Sequence, residues 1–184
     1  MRRAHAVGRG IDLRRPDRLP RGDELAESHD ASVNDRERLF VDAPPVSLEV
    51  SSWSDGTAQR YAVTWTVPDE RAQRAWANPD DATEAGAYAV ALASLEARFG
   101  LVALARTGRH SGSDWWIGSP TVDTELDLEN AMRLEVAGMD RASDEAHVIA
   151  RLSRKVEQVR KAGTGPARAV VVAFSARRVA FRDP

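Results

Sequence analysis

The chain has 184 residues, a formal net charge of −2, 42% hydrophobic and 29% charged residues, and no cysteine. This is globular composition, and it excludes a disulfide framework, thiolate metal sites and a strongly basic nucleic-acid-binding domain. The longest apolar run, Ala169 to Phe174, is too short to cross a bilayer, and no apolar segment follows Arg2 and Arg3, so neither a membrane span nor a secretory signal is expected and the chain reads as cytoplasmic.

Residues 1–45 carry nine arginines and nine acidic residues among sparse, aperiodic apolar positions. Such a segment buries too little surface to offset its chain entropy, so a disordered or extended N-terminal arm is expected, ending at Pro44-Pro45. Residues 46–184 then form a single domain.

Val46 to Ser52 alternates through Val46, Leu48 and Val50, and Tyr61 to Val67 is rich in β-branched and aromatic residues; with Ser54-Asp55-Gly56 between them, the two read as a hairpin. Arg71 to Trp76 is a short helix that Asn78-Pro79 should stop. Thr83 to Phe99 is a longer helix with Glu84, Tyr88, Ala91, Leu95 and Phe99 on one stripe, ended by Gly100.

Two short strands follow, Leu101 to Arg106 and Ser113 to Gly118, around a turn at Gly108 to Gly112. Pro120 to Asn130 is an acidic loop. In Ala131 to Ala137, Met132, Leu134 and Val136 point one way and Arg133, Glu135 and Ala137 the other, and Gly138 ends the strand. Ser143 caps a helix over 143–162 whose stripe is Ile149, Leu152, Val156 and Val159. Ala169 to Phe174 reads as a strand covered on both faces, and Val179 to Phe181 as a short edge strand.

The expected fold is therefore α/β (α+β): a mixed central sheet of about four core strands, flanked by two helices in αβββαβ order, with the N-terminal β-hairpin extending one edge. Onto this order falls a set of acids: Glu84 on the first core helix, Asp114 early in the second core strand, Glu135 inside the third. If the last two strands are neighbours, their carboxylates meet, and two or three hard oxygens with waters suit Mg²⁺. Such a metal activates water and stabilises a phosphodiester transition state.

Order and acids together resemble the restriction-endonuclease-like, PD-(D/E)xK nuclease superfamily, over roughly Thr83 to Phe174. The resemblance implies a metal-dependent nuclease acting on DNA phosphodiesters, with Mg²⁺ or Mn²⁺ held by Asp114 and Glu135, Glu84 in support, and Lys155 or Gln158 on the following helix. The motif is degenerate: the family lysine falls on Ala137, and Ser113 stands where proline precedes the metal aspartate. Lys155 is then the relocated lysine, one of only two in the chain. The alternative is a catalytically inactive nuclease-fold accessory protein with a protein partner, in a defence or toxin–antitoxin setting.

Each residue also has a plainer explanation. Asp114 caps a strand, Glu135 faces solvent, Glu84 answers the helix dipole, and Lys155 is a solvated side chain. His110, in the turn before Asp114, is a further phosphate contact or simply exposed; Trp53, Trp65 and Trp76 are expected to pack a small core rather than stack bases.

Overall fold

In a computed structural model the described residues are 12–14, 46–65, 69–108, 111–121, 128, 131–142 and 144–184. They form one mixed sheet carrying helices on both faces, an α+β architecture. The strands are β1 (Asp12–Arg14), β2 (Val46–Ser52), β3 (Thr57–Thr64), β4 (Val102–Arg106), β5 (Trp115–Gly118), β6 (Met132–Met139), β7 (Ala167–Ala173) and β8 (Arg178–Arg182). The helices are α1 (Glu70–Ala75), α2 (Pro79–Phe99) and α3 (Glu145–Lys161). Across the sheet the order is β1-β3-β2-β8-β7-β6-β5-β4. It is larger than the four-strand core expected, because β1, the hairpin and β8 add to it.

The β2–β3 hairpin forms as the alternation implies. Its β2 pairs in parallel with β8, which lies between β2 and β7 and is not the edge strand expected. Within the N-terminal arm, Asp12–Arg14 pairs antiparallel with β3; the rest of the arm lies outside the described residues.

Helix α2 starts earlier than the stripe suggests. Asn78 is its N-cap, accepting from the Asp80 amide at 3.0 Å, and Pro79 opens its first turn. Asn-Pro here starts a helix instead of stopping one, since proline at N1 gives up no intrahelical bond and its fixed φ suits the turn. Glu84 therefore sits in the second turn, where the dipole contributes little. On α3 the cap is Asp144, accepting from the His147 amide at 2.8 Å; Ser143 lies outside the described residues. The helix buries Val148, Leu152, Val156 and Val159, so Val148 takes the place expected of Ile149.

Two cores result. One face of the sheet, including Leu134, Val136, Val170, Val172 and Phe181, packs under α2; the other, including Ala137, Met139, Ala169 and Val171, packs under α3. The β7 strand is buried at every position, as its continuous apolar run implies. Of the three tryptophans expected in a small core, only Trp65 packs against one; Trp53 and Trp76 are 40% and 50% exposed.

Strand β6 runs through Gly138 instead of ending there. A Cβ at Gly138 would stand 2.7 Å from the Thr83 carbonyl oxygen and 2.8 Å from its methyl. The missing side chain lets the start of α2 lie directly on β6, which sets Glu84 and Tyr88 over the strand that carries Glu135. Gly138→Ala should cost about 1–3 kcal/mol, because the clash is with backbone that has no room to turn away. Gly108→Ala, with open space around its Cβ, is the control. Urea midpoints of the two variants check this, and equal midpoints would show that the close approach contributes nothing.

Candidate functional site

The site forms where β5 leaves β6. Their ladder runs from Ile117↔Met132 to Trp115↔Leu134, and past that point β6 keeps, among the described residues, only β7 as a strand partner. Asp114 immediately precedes β5 and is not within it. Its amide still donates to the Leu134 carbonyl at 2.8 Å, while its Oδ2 accepts from the Val136 amide at 2.8 Å. The carboxylate thus replaces the strand that would otherwise continue beside β6, and satisfies a backbone donor that the split leaves open.

On the other side of Asp114 stands Tyr88 of α2. Its hydroxyl is 2.9 Å from Oδ1 of Asp114 and 2.8 Å from Oε1 of Glu84. One phenolic proton serves two carboxylates. Burial, the hydrogen bond to Glu84 and the charge on Asp114 push the Tyr88 hydroxyl far above its ordinary range, so it stays protonated.

Glu135 projects toward α3, on the face of β6 that carries Ala137 and Met139. Its side chain is only 5% exposed. Its Oε1 accepts from Nζ of Lys155 at 2.5 Å and from Nε2 of Gln158 at 2.7 Å, and the two donors are joined by a Lys155 Nζ to Gln158 Oε1 bond of 3.2 Å. Burial raises the Glu135 carboxyl above its usual value, and the negative charge on Asp114 raises it further; Lys155 opposes both without cancelling them. Arg133, two residues back on the same face, takes no part: it donates to the Gly163 carbonyl at 2.7 Å.

These residues surround an open pocket of about 350 Å³ lined by Glu84, Tyr88, Arg106, Thr107, Gly108, Ser111, Gly112, Ser113, Asp114, Glu135 and Gln158. Its far wall is the 107–114 turn, of which Arg109 and His110 lie outside the described residues. Thr107 and Ser111 hydroxyls both donate to the Ser113 carbonyl and hold the turn in shape. Gly112, at φ +67°, packs against Ala162 where a Cβ would collide, so this wall abuts the end of α3.

Of the residues singled out in the sequence, Glu84, Asp114, Glu135 and Gln158 line the pocket, and Lys155 reaches it through Glu135. Tyr88 and Arg106 were not anticipated. Tyr88 reads as part of the apolar stripe, yet its position four residues after Glu84 is the spacing at which side chains on a helix meet. Among the described residues no three histidines or carboxylates converge as a ligand set. A cation here would rest on Asp114 and Glu135 with waters, a donor set that Mg²⁺ accepts and Zn²⁺ disfavours. No protein-family model matches the chain, and neither a curated protein nor a solved structure matches it.

Proposed function

We propose that the chain is a metal-dependent phosphodiesterase of the restriction-endonuclease-like type, acting on DNA. The observation that carries this reading is that Asp114, just before β5, and Glu135, on β6, line one pocket, with Lys155 2.5 Å from Glu135. A buried carboxylate facing a second one is unfavourable by itself, and a divalent cation between them relieves the repulsion. Asp114 and Glu135 would hold Mg²⁺ or Mn²⁺, which when bound activates water and offsets charge on the phosphodiester.

The chain's own residues do the rest. Val136 and Tyr88 fix the Asp114 carboxylate from two sides, so its orientation is set before any ligand arrives. Gln158 and Lys155 do the same for Glu135. The lysine comes from α3, so Ala137 at the usual lysine position does not by itself argue against activity.

One observation favours the second reading, a nuclease-fold accessory protein without catalysis. Lys155 and Gln158 both donate to one oxygen of Glu135, as in a structural ion pair. Mn²⁺ titration followed by melting temperature, with a Mg²⁺-dependent cleavage assay on plasmid DNA, separates the two. The phosphodiesterase reading expects a rise of several degrees with millimolar Mn²⁺, together with cleavage. A rise without cleavage favours the accessory protein, and no rise at all removes the metal site from both.

A further inference from the structure

Arg106 ends β4 and pairs with Trp115 across the β4–β5 ladder. Its guanidinium lies 4.4 Å from the Trp115 ring centroid and 4.6 Å from that of Tyr88. The two rings meet edge to face at 6.2 Å and 74°, forming a fixed aromatic seat. Three carboxylates line this pocket, yet Arg106 forms no ion pair among the described residues.

Contact with two rings holds a guanidinium by its cationic centre without using its N–H groups as donors to a charged partner, and those N–H groups form a fork that matches two oxygens of one phosphate. It also fixes a long side chain in advance, which lowers the entropy lost on binding. The electrostatics require such a group. A pocket of carboxylates on a chain of net charge −2 repels a polyanion. Lys155 is taken up by Glu135, so among the described residues lining the pocket Arg106 is the exposed cation.

We propose that Arg106 is a phosphate-binding residue that grips the backbone of a DNA strand beside the phosphodiester facing Asp114 and Glu135. This rests on the phosphodiesterase reading and adds to it which wall of the pocket holds the strand. The fork and its aromatic seat contact no base in this arrangement, so the grip is sequence-independent.

The test is equilibrium binding of a short, labelled single-stranded DNA oligonucleotide to the full chain, in EDTA and separately in Ca²⁺, across a range of NaCl. Arg106→Ala should weaken binding roughly tenfold and lower the slope of log K against log salt by about 0.7, the loss of one single-strand phosphate contact. Arg106→Lys should keep the slope, because the charge remains, while still losing affinity because the fork is gone. With a methylphosphonate oligonucleotide, which has no backbone charge, wild type and Arg106→Ala should bind alike. A purely structural role for Arg106 would lower the melting temperature without changing the slope. Unchanged affinity and slope in a folded Arg106→Ala overturn the proposal, as does failure of the wild type to bind the oligonucleotide in either condition. The metal-induced rise in melting temperature should survive in Arg106→Ala; its absence from the wild type removes the phosphodiesterase reading on which this proposal rests, whereas a rise with unchanged DNA binding in Arg106→Ala removes this proposal alone.

Discussion

Replacing Lys155 with methionine, measured in EDTA, should destabilise the protein by about 3 kcal/mol near pH 7 and by little near pH 4. Methionine keeps an apolar stem of similar length at this position of α3 and removes only the charge. Glu135 is then a buried carboxylate whose remaining protein donor is Gln158, and a broken buried pair costs more than the intact pair contributes. The loss has a ceiling, because Glu135 can take a proton instead. Staying neutral at pH 7 costs about 1.4 kcal/mol for each unit above the ordinary 4.5, about 3.5 kcal/mol in all.

The sign follows from the direction of the shift. The Glu135 carboxyl is raised in the folded protein, so its contribution to stability is fully present below 4.5 and is lost as pH rises through the folded value. Removing Lys155 raises that value further and widens the window of loss toward neutrality. Urea midpoints of wild type and Lys155→Met at the two pH values check this. The double variant Glu135→Gln with Lys155→Met should recover most of the neutral-pH loss, since it leaves no buried charge. Equal destabilisation at both pH values would mean that Lys155 acts through packing, and that Glu135 is not held ionised by it.

Much of the frame that brings these groups together is legible in the sequence. The alternation of 132–137 put Glu135 and Ala137 on one face and Leu134 and Val136 on the other, and the two cores divide that way. The continuous run in β7 implied helices on both sides, and both are there. The misreadings have local causes. Asn78-Pro79 has the same composition whether it stops α1 or starts α2, and only the position of the next apolar stripe decides. The place of β8 inside the sheet depends on its parallel pairing with β2, more than 120 residues earlier, which no local pattern encodes. Three residues of a charged arm found a strand partner because β3 offered an open edge.

At the site, residue type and spacing pointed to the acids but not to what surrounds them. Arg106 reads as an ordinary strand end. Its role emerges only when the β4–β5 register sets it beside Trp115 and the helix brings Tyr88 to the other side. Asp114 was expected within its strand and instead stands just before it, where the departure of β5 gives its carboxylate a backbone amide to bind. A strand split is a property of two chains of residues together, which explains why periodicity within either one does not reveal it.

Asp114→Asn should abolish the metal response and lower DNA cleavage by roughly 10²–10³-fold or more, with the fold intact or slightly stabilised. The side-chain oxygen of asparagine can still accept from the Val136 amide, so the open backbone donor stays satisfied. Its NH₂ then donates to the Tyr88 oxygen, which frees the phenolic proton for Glu84 alone; one proton no longer serves two carboxylates. The negative charge beside Glu135 is gone, which removes one of the two causes of its raised carboxyl. Each of these changes is neutral or favourable for the metal-free protein, while one of the two carboxylates available to a cation is lost. The melting temperature without metal should therefore match or exceed that of the wild type, and added Mn²⁺ should leave it unchanged. Cleavage by Asp114→Asn at the wild-type rate would remove Asp114 from the chemistry. A Mn²⁺-induced rise that survives in this variant would move any cation away from the β5–β6 split, and with it the reason for reading this pocket as a phosphodiesterase site.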